Sequence, residues 1–135
     1  MKPKTKEAAK LLRLAQQDRE AFDILRREMA SDATPVFFHA QQCVEKCLKA
    51  VIAHLGRSAP PTHNLMFLAQ ILKKASIEIP VPLGAMTKLI PYAVAFRYDE
   101  VDFMVIDAAS AARIVEAIYQ WAKGMLERTS DQGTE

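Results

Sequence analysis

The widest apolar pattern in the chain lies between Val36 and Leu55. At ~100° per residue on a helix, one narrow stripe collects Phe37, Ala40, Val44, Leu48, Val51 and Leu55. The stripe is widened on its two sides by Val36, Cys43, Cys47 and His54, and by Ile52. The opposite face carries Phe38, Gln42, Glu45, Lys46 and Lys49. Because so wide an apolar arc needs more than one neighbour, the pattern predicts the central helix of a bundle.

A second apolar seam predicts a helix from about Thr5 to Met29. The seam consists of Ala8, Leu11, Ala15, Phe22, Leu25 and Met29. Asp18 lies on the same seam, where an apolar residue is expected. Two interpretations stay open: Asp18 lies at a wet edge of the seam, or it pairs with a cation from a neighbouring helix.

Turn and capping signals divide the rest of the chain. Thr34 followed by Pro35 predicts the start of the second helix, and Gly56 predicts its end near Leu55. Thr62 is the predicted N-cap of a third helix.

The C-terminal half predicts one short helix and one long one. The short helix covers about Leu83 to Ile90, and Pro91 kinks or restarts it. The long helix begins with Asp107 as N-cap and runs to about Glu127. With no segment of alternating polarity, we predict an all-α, up-and-down bundle with three long and two short helices. We expect residues 1–130 to form one domain, followed by a polar, frayed tail at 131–135.

Composition and charge narrow the classes of function. The formal net charge of the 135 residues is only +2, which offers no bulk electrostatic case for nucleic acid or an acidic membrane. No apolar run approaches the length of a membrane helix, and no apolar segment follows the basic N-terminus as in a signal peptide. We therefore expect a cytoplasmic protein with no membrane contact.

The cysteine and histidine content argues against a metal site. Cys43 and Cys47 are four residues apart on the central helix, and free cysteine behaves there as a small apolar residue. A metal site needs further ligands, and no Glu-x-x-His pair exists to build a di-metal bundle. We expect two buried structural thiols, no metal and no cofactor.

Four groups of residues, in order along the chain, carry a resemblance to a known family. The first helix contains the A-x-x-D-x-x-A pattern Ala15, Asp18 and Ala21. The second helix contains Gln41, Gln42, Glu45, Lys46, Lys49 and Ala50. The third group is Pro61, Thr62, His63 and Leu65, and the fourth is Arg97 with Tyr98. Together they span about Leu11 to Leu126, and the chain resembles the HEPN domain family, the higher eukaryote and prokaryote nucleotide-binding helical bundles, in its small stand-alone prokaryotic branch.

This resemblance implies a bundle of four or five helices that commonly dimerises. It also implies a partner protein, a minimal nucleotidyltransferase, in a pair similar to a toxin–antitoxin module. Many members of the wider family are metal-independent ribonucleases that use an Arg followed by a His at a dimer cleft. Such chemistry needs a histidine as acid or base and an arginine to stabilise the phosphorane charge.

The chain departs from that ribonuclease pattern. No histidine follows Arg97, and Asp99, Glu100 and Asp102 make its neighbourhood acidic. Arg57 and His63 satisfy the spacing, but they precede the helices where the family places the motif. The weak catalytic candidates that remain are His63 and Arg97, which could approach each other in the fold.

Residues from several parts of the chain form a candidate polar site for a nucleotide or a partner. They are Asp18, Phe38, Lys49, His63, Arg97 and Tyr98. In one interpretation, Arg97 and Lys49 bind phosphate and an aromatic side chain stacks on a base. In the other, Asp18 or Glu45 pairs with Arg97 or Lys49 in a structural ion network. Phe38, on the polar face of its helix, is either a partner contact or covered by another helix.

Two hypotheses of function follow. The first is a non-catalytic binding module, a homodimer that associates with a minimal nucleotidyltransferase and binds a nucleotide or RNA. The alternative is a metal-independent ribonuclease of the HEPN toxin type, with an atypical site made from His63 and Arg97.

Overall fold

The computed structural model describes residues 4–28, 34–95 and 106–132, and within them every regular element is helical. The three long helices are α1 (Thr5–Glu28), α2 (Thr34–His54) and α6 (Ala108–Gln132). Between α2 and α6 lie shorter helices, namely α3 (Leu65–Lys74), α4 (Leu83–Met86), a 3-10 turn (Thr87–Leu89) and α5 (Tyr92–Ala95). The predicted all-α bundle is confirmed.

The predicted central position of α2 is confirmed by its contacts and burial. It packs most extensively on α1, then on α6, and it also contacts α3, α5 and the 3-10 turn. Fourteen of its 21 residues are buried, which leaves little of its circumference in solvent. The core around it includes Phe37, whose ring packs against Tyr92 with centroids 5.0 Å apart. The polar face of α2 is partly covered as well: Glu45 is buried, and the other residues of that face, Phe38, Gln42, Lys46 and Lys49, are half-buried.

Local capping signals define several helix ends as predicted. Gly56 takes φ 88°, and its N–H donates to Ala53 while that of Arg57 donates to Ile52. This pattern is a Schellman motif, which needs a left-handed residue where glycine stands. At the start of α6, Oδ1 of Asp107 accepts a hydrogen bond from the Ser110 N–H at 2.7 Å.

The predicted N-cap of the third helix is wrong. The cap is Asn64, whose side-chain oxygen accepts hydrogen bonds from the N–H groups of Met66 and Phe67. Thr62 instead accepts a hydrogen bond from the Asn64 N–H and so shapes the approach to the helix. Both residues are good caps, and the chain direction before α3 places the asparagine at the boundary.

Two other boundaries differ from the prediction. The short fourth helix is divided into α4 and a 3-10 turn, and α5 begins directly after Pro91, so this proline restarts the helix. The last helix continues to Gln132, beyond the predicted Glu127. The predicted tail therefore lies partly in α6, and residues 133–135 lie outside the described part of the chain.

The two cysteines are free and fully buried in the core, as predicted. A hydrogen bond with Cys43, and then burial, raise the pKa of the Cys47 thiol well above its ordinary value. The Cys47 thiol is thus held in the unreactive protonated form. Among the helices that the structure describes, none combines the length and apolarity that crossing a bilayer requires.

Candidate polar site on the central helix

A buried carboxylate, that of Glu45, organises the first of two polar clusters on α2. Glu45 is only 3% exposed, and its Oε1 accepts a hydrogen bond from Nδ1 of His63 at 2.8 Å. Its Oε2 lies 3.0 Å from Nζ of Lys49, one helical turn further along α2. The contact ties α2 to the segment before α3, and we call this group, with Gln41 and Gln42, the Glu45 cluster.

Two glutamines complete the Glu45 cluster. The Gln41 amide donates to Glu45 Oε1 at 3.0 Å and to the backbone carbonyl of His63 at 3.3 Å. Gln42 donates in turn to the Gln41 side-chain oxygen at 2.6 Å. Since Gln41 is fully buried, these bonds provide it with the partners that burial requires. The side chain and the backbone of His63 are both held in place.

The second group, the Asp18 cluster, joins α1 to α2. Asp18 is 8% exposed, and its two carboxylate oxygens bind Nδ1 of His39 at 2.9 Å and Nζ of Lys46 at 2.5 Å. Burial opposes ionisation of Asp18, but hydrogen bonds from His39 and Lys46 outweigh it and hold the pKa of the carboxyl below its ordinary value. Of the two interpretations of Asp18, pairing with a cation from a neighbouring helix is the one observed, and that cation is Lys46.

The predicted site residues are brought together only in part. Lys49 and His63 meet on Glu45, whereas Asp18 forms the separate Asp18 cluster. Phe38 is partly buried, and its ring lies edge-on to that of His39 with centroids 5.3 Å apart.

Two further predicted residues, Arg97 and Tyr98, lie outside the described residues, as do Asp99, Glu100 and Asp102. The convergence of Arg97 with His63 therefore stays a prediction.

Sequence reasoning gave Glu45 a role only in the ion-network interpretation, where its pairing with Lys49 is the one observed. It did not place Gln41, His39 and Lys46 in the candidate site. The signal for the Glu45 cluster was present, since residues 41, 45 and 49 recur at four-residue spacing and form a polar ladder on one face. His39 and Lys46 are seven apart and therefore also share a face. The helical pattern could not show which groups contact this face from other segments, namely His63 and Asp18.

The arrangement has the local geometry of an oriented base. An ionised carboxylate only accepts hydrogen bonds, so Nδ1 of His63 donates and Nε2 points its lone pair elsewhere when the imidazole is neutral. The His63 side chain is 56% exposed, and no hydrogen bond among the described residues engages Nε2. The nearby cation, Lys49, is already paired with the same carboxylate. The imidazole is therefore accessible, but the charge beside it is neutralised.

The other titratable groups of the described residues form no metal-binding cluster. Within the part of the chain that the structure describes, no three His, Cys, Asp or Glu side chains are arranged to hold a metal ion. His54 is buried at the end of α2, and neither ring nitrogen has a hydrogen-bond partner among the described residues. Burial lowers the pKa of His54, which keeps it neutral.

Known proteins provide two matches to this chain. Residues 8–125 match the family model of the HEPN domain. The crystal structure of an archaeal HEPN homologue has a TM-score of 0.60 to this fold at 20% sequence identity, covering 93% of this chain and 99% of that one. No curated protein matches the sequence. The structural likeness, at this identity, is evidence of the shared fold.

Proposed function

The chain belongs to the HEPN domain family, and we propose that it acts as a non-catalytic binding module. In this proposal the module is a homodimer that associates with a minimal nucleotidyltransferase, and the Glu45 cluster has a secondary role as a nucleotide contact. Dimerisation and this class of partner are common among prokaryotic relatives. The support from this chain comes from the chemistry of the two polar clusters.

The observation that carries the proposal is the saturation of the cations on α2. Lys46 and Lys49 each pair with a buried carboxylate, and His39 and His63 share those same carboxylates. A phosphoryl-transfer site needs positive charge that is free to stabilise the transition state. Since Asp18 and Glu45 neutralise these cations, the clusters favour a rigid binding surface over catalysis.

Exposed apolar side chains support contact with a protein. Among the described residues, the large hydrophobic side chains left exposed are Ile24 and Phe67, at 61% and 48%. Ile24 lies on α1 and Phe67 on α3, and the polar clusters join α2 to α1 and to the residues before α3. Exposed apolar side chains of this size are typical of protein–protein contacts.

A nucleotide is a weaker second ligand in this proposal. The accessible edge of His63 and the ammonium of Lys49 are the groups in the Glu45 cluster that donate hydrogen bonds to an anion. A phosphate has to compete with Glu45 for both of them. We therefore expect nucleotide affinity to be weak without the protein partner.

One observation favours the alternative, a metal-independent ribonuclease. His63 is oriented by a carboxylate and its Nε2 is accessible, as a general base requires. The second group that this chemistry needs is an arginine. Among the described residues, no arginine forms a hydrogen bond with His63 or His39, so the alternative depends on Arg97.

The test measures assembly and cleavage with the same preparation. We expect light scattering to give twice the chain mass of 15.1 kDa, and we expect co-purification with a minimal nucleotidyltransferase co-expressed from the same genome. Substituting the exposed anchors, as Phe67→Ser and Ile24→Ser, should release the partner. Exposed Lys73→Ser on α3 is the matched control and should retain it.

Cleavage of structured RNA without metal is measured alongside, with His63→Ala and Arg97→Ala. We expect no cleavage by the wild type. Cleavage that either substitution abolishes would establish the ribonuclease alternative and refute the non-catalytic proposal. A monomer that binds no nucleotidyltransferase would refute the proposed assembly.

A further inference from the structure

A second candidate site lies between the α4 region and the N-terminal half of α6. It is a cleft of about 600 Å³, which is within the size range of small-molecule sites. Its apolar wall consists of Val81, Pro82, Ala85, Ile106, Ile114 and Ala117. No residue of the Asp18 or Glu45 cluster lines it, so it is a separate feature of the fold.

The charged side chains at this cleft have a net positive sum. Lys88 and Arg113 contribute two cations, and Asp107 contributes one carboxylate. The guanidinium of Arg113 donates to the Ser110 hydroxyl at 3.0 Å, and within the described residues neither cation forms an ion pair. The Asp107 carboxylate is occupied by the Ser110 N–H, and that bond lowers the pKa of Asp107. The charge of the Arg113 guanidinium also attracts the Asp107 carboxylate and lowers its pKa further.

We propose that this cleft binds a small amphipathic monoanion, a medium-chain carboxylate, with its apolar chain against the wall and its head group at Arg113 and Lys88. The net charge of the lining is one positive unit, which matches a singly charged head group. The planar guanidinium of Arg113 suits a carboxylate, because its paired N–H groups match the two carboxylate oxygens. Burial of the ligand's hydrocarbon chain against the apolar wall stabilises the complex, because it removes apolar surface from water.

This cleft differs in kind from the polar clusters on α2. There, each lysine faces a buried carboxylate that an incoming anion has to displace. At the cleft, Lys88 and Arg113 are exposed, and no carboxylate of the described residues forms a close ion pair with either cation, although the charges of Asp107 and Arg113 attract each other. An anion binds here without breaking an internal ion pair. The inference therefore does not depend on the proposed function of the α2 surface.

The test is a titration of the isotope-labelled full chain with octanoate, followed by amide chemical shifts. We expect saturable shifts at Ala85, Ser110 and Ala117, and we expect Arg113→Gln to weaken binding by about tenfold. Lys88→Gln should also weaken octanoate binding. Lys123→Gln removes an exposed cation from α6 away from the cleft, so this matched control should bind like the wild type.

Two further ligands and one further variant examine the head group and the chain. Octanol lacks the charge and octyl phosphate exceeds it, so both should bind more weakly than octanoate. Ala117→Leu fills the wall and should reduce octanoate binding, with thermal unfolding as a check that the variant folds. If Ala117→Leu does not fold, Arg113→Gln and Lys88→Gln still test the proposal, because both change exposed residues.

Several outcomes would overturn the proposal. One is equal affinity of the wild type and Arg113→Gln, and another is a set of shifts confined to residues outside the cleft. Tighter binding of octyl phosphate would show that the site selects a dianion. If octanoate competes with self-association of the chain, the cleft is an interface between two copies instead. If the chain binds no octanoate but still forms the homodimer and binds the nucleotidyltransferase, this proposal fails and the proposed function stands.

Discussion

The exposed imidazole of His63 is held by the buried carboxylate of Glu45, with 2.8 Å between Nδ1 and Oε1. The same carboxylate also binds Lys49 on its own helix, so one buried group positions an imidazole and an ammonium from different segments. A buried ion of this kind is stabilised only while its partners are in place. The segment before α3 therefore depends on Glu45 for its attachment to α2.

Replacement of Glu45 by glutamine should destabilise the fold by about 3 kcal/mol, because it leaves Lys49 nearly buried without a counter-charge. The measurement is urea unfolding at pH 7. Glu127→Gln changes an exposed carboxylate on α6 and should alter the free energy of unfolding by less than about 0.5 kcal/mol. Equal effects of the two substitutions would show that Glu45 is not the anchor.

Asp18→Asn should produce a loss of stability that depends on pH. The pKa of Asp18 is lowered in the folded state, so the unfolded chain binds the proton more readily. The stabilisation by Asp18 is therefore fully present above its ordinary value of 3.8 and is lost as the pH falls through the lower folded value.

The measurement compares the unfolding free energies of the wild type and Asp18→Asn between pH 7 and pH 2.5. We expect the difference to be about 3 kcal/mol at neutral pH and to shrink below pH 4. A difference that stays constant across this range would contradict the assignment of the shift to Asp18.

His54→Leu should be neutral or stabilising at pH 7, by up to about 1 kcal/mol, because the imidazole is buried with no hydrogen-bond partner among the described residues. Burial lowers the pKa of His54 below its ordinary value of 6.5. The unfolded chain therefore takes up a proton first, and wild-type stability falls as the pH drops below 6.5.

Unfolding curves between pH 8 and pH 5 measure both effects. The His54→Leu variant should lose less stability than the wild type over this range. A variant less stable than the wild type by about 2 kcal/mol at pH 7 would show instead that the imidazole has partners that stabilise it.

The ion pair between α1 and α6 should contribute little. Arg19 binds Glu116 through two nitrogens, at 2.9 and 3.0 Å, but their side chains are 28% and 53% exposed. A double-mutant cycle with Arg19→Met and Glu116→Gln should give a coupling below about 1 kcal/mol that declines with added salt. Arg19→Met alone should cost more than the coupling, because the guanidinium also stacks on Tyr119 at 4.6 Å.

Asn64→Ala should destabilise the protein by about 1 kcal/mol through loss of the α3 cap. Thr62→Ala removes only the hydroxyl that accepts the Asn64 N–H and should have the smaller effect. Thermal unfolding of both variants provides the comparison. An equal or larger loss with Thr62→Ala would make the threonine the true cap.

Part of the candidate site was predictable from sequence. Asp18 stood out because a carboxylate interrupts an apolar seam, and Lys49 with His63 stood out through the family resemblance. The pairing of Glu45 with Lys49 was one of the two interpretations of the sequence. The burial of Glu45 and its contact with His63 were not evident, because on the helical pattern Glu45 belongs to a polar face that an isolated helix presents to water. Its burial results from the approach of the segment that carries His63, which is a contact across 18 residues.

The sequence by itself determined the helices and the position of α2 at their centre, because apolar periodicity and caps such as Gly56 and Asp107 act over a few residues. Tertiary structure decided which polar groups meet. It paired Asp18 with His39 and Lys46, and it placed His63 on Glu45. The physical reason is that burial makes an unpaired charge costly, so the packing of the helices selects partners that no local pattern specifies.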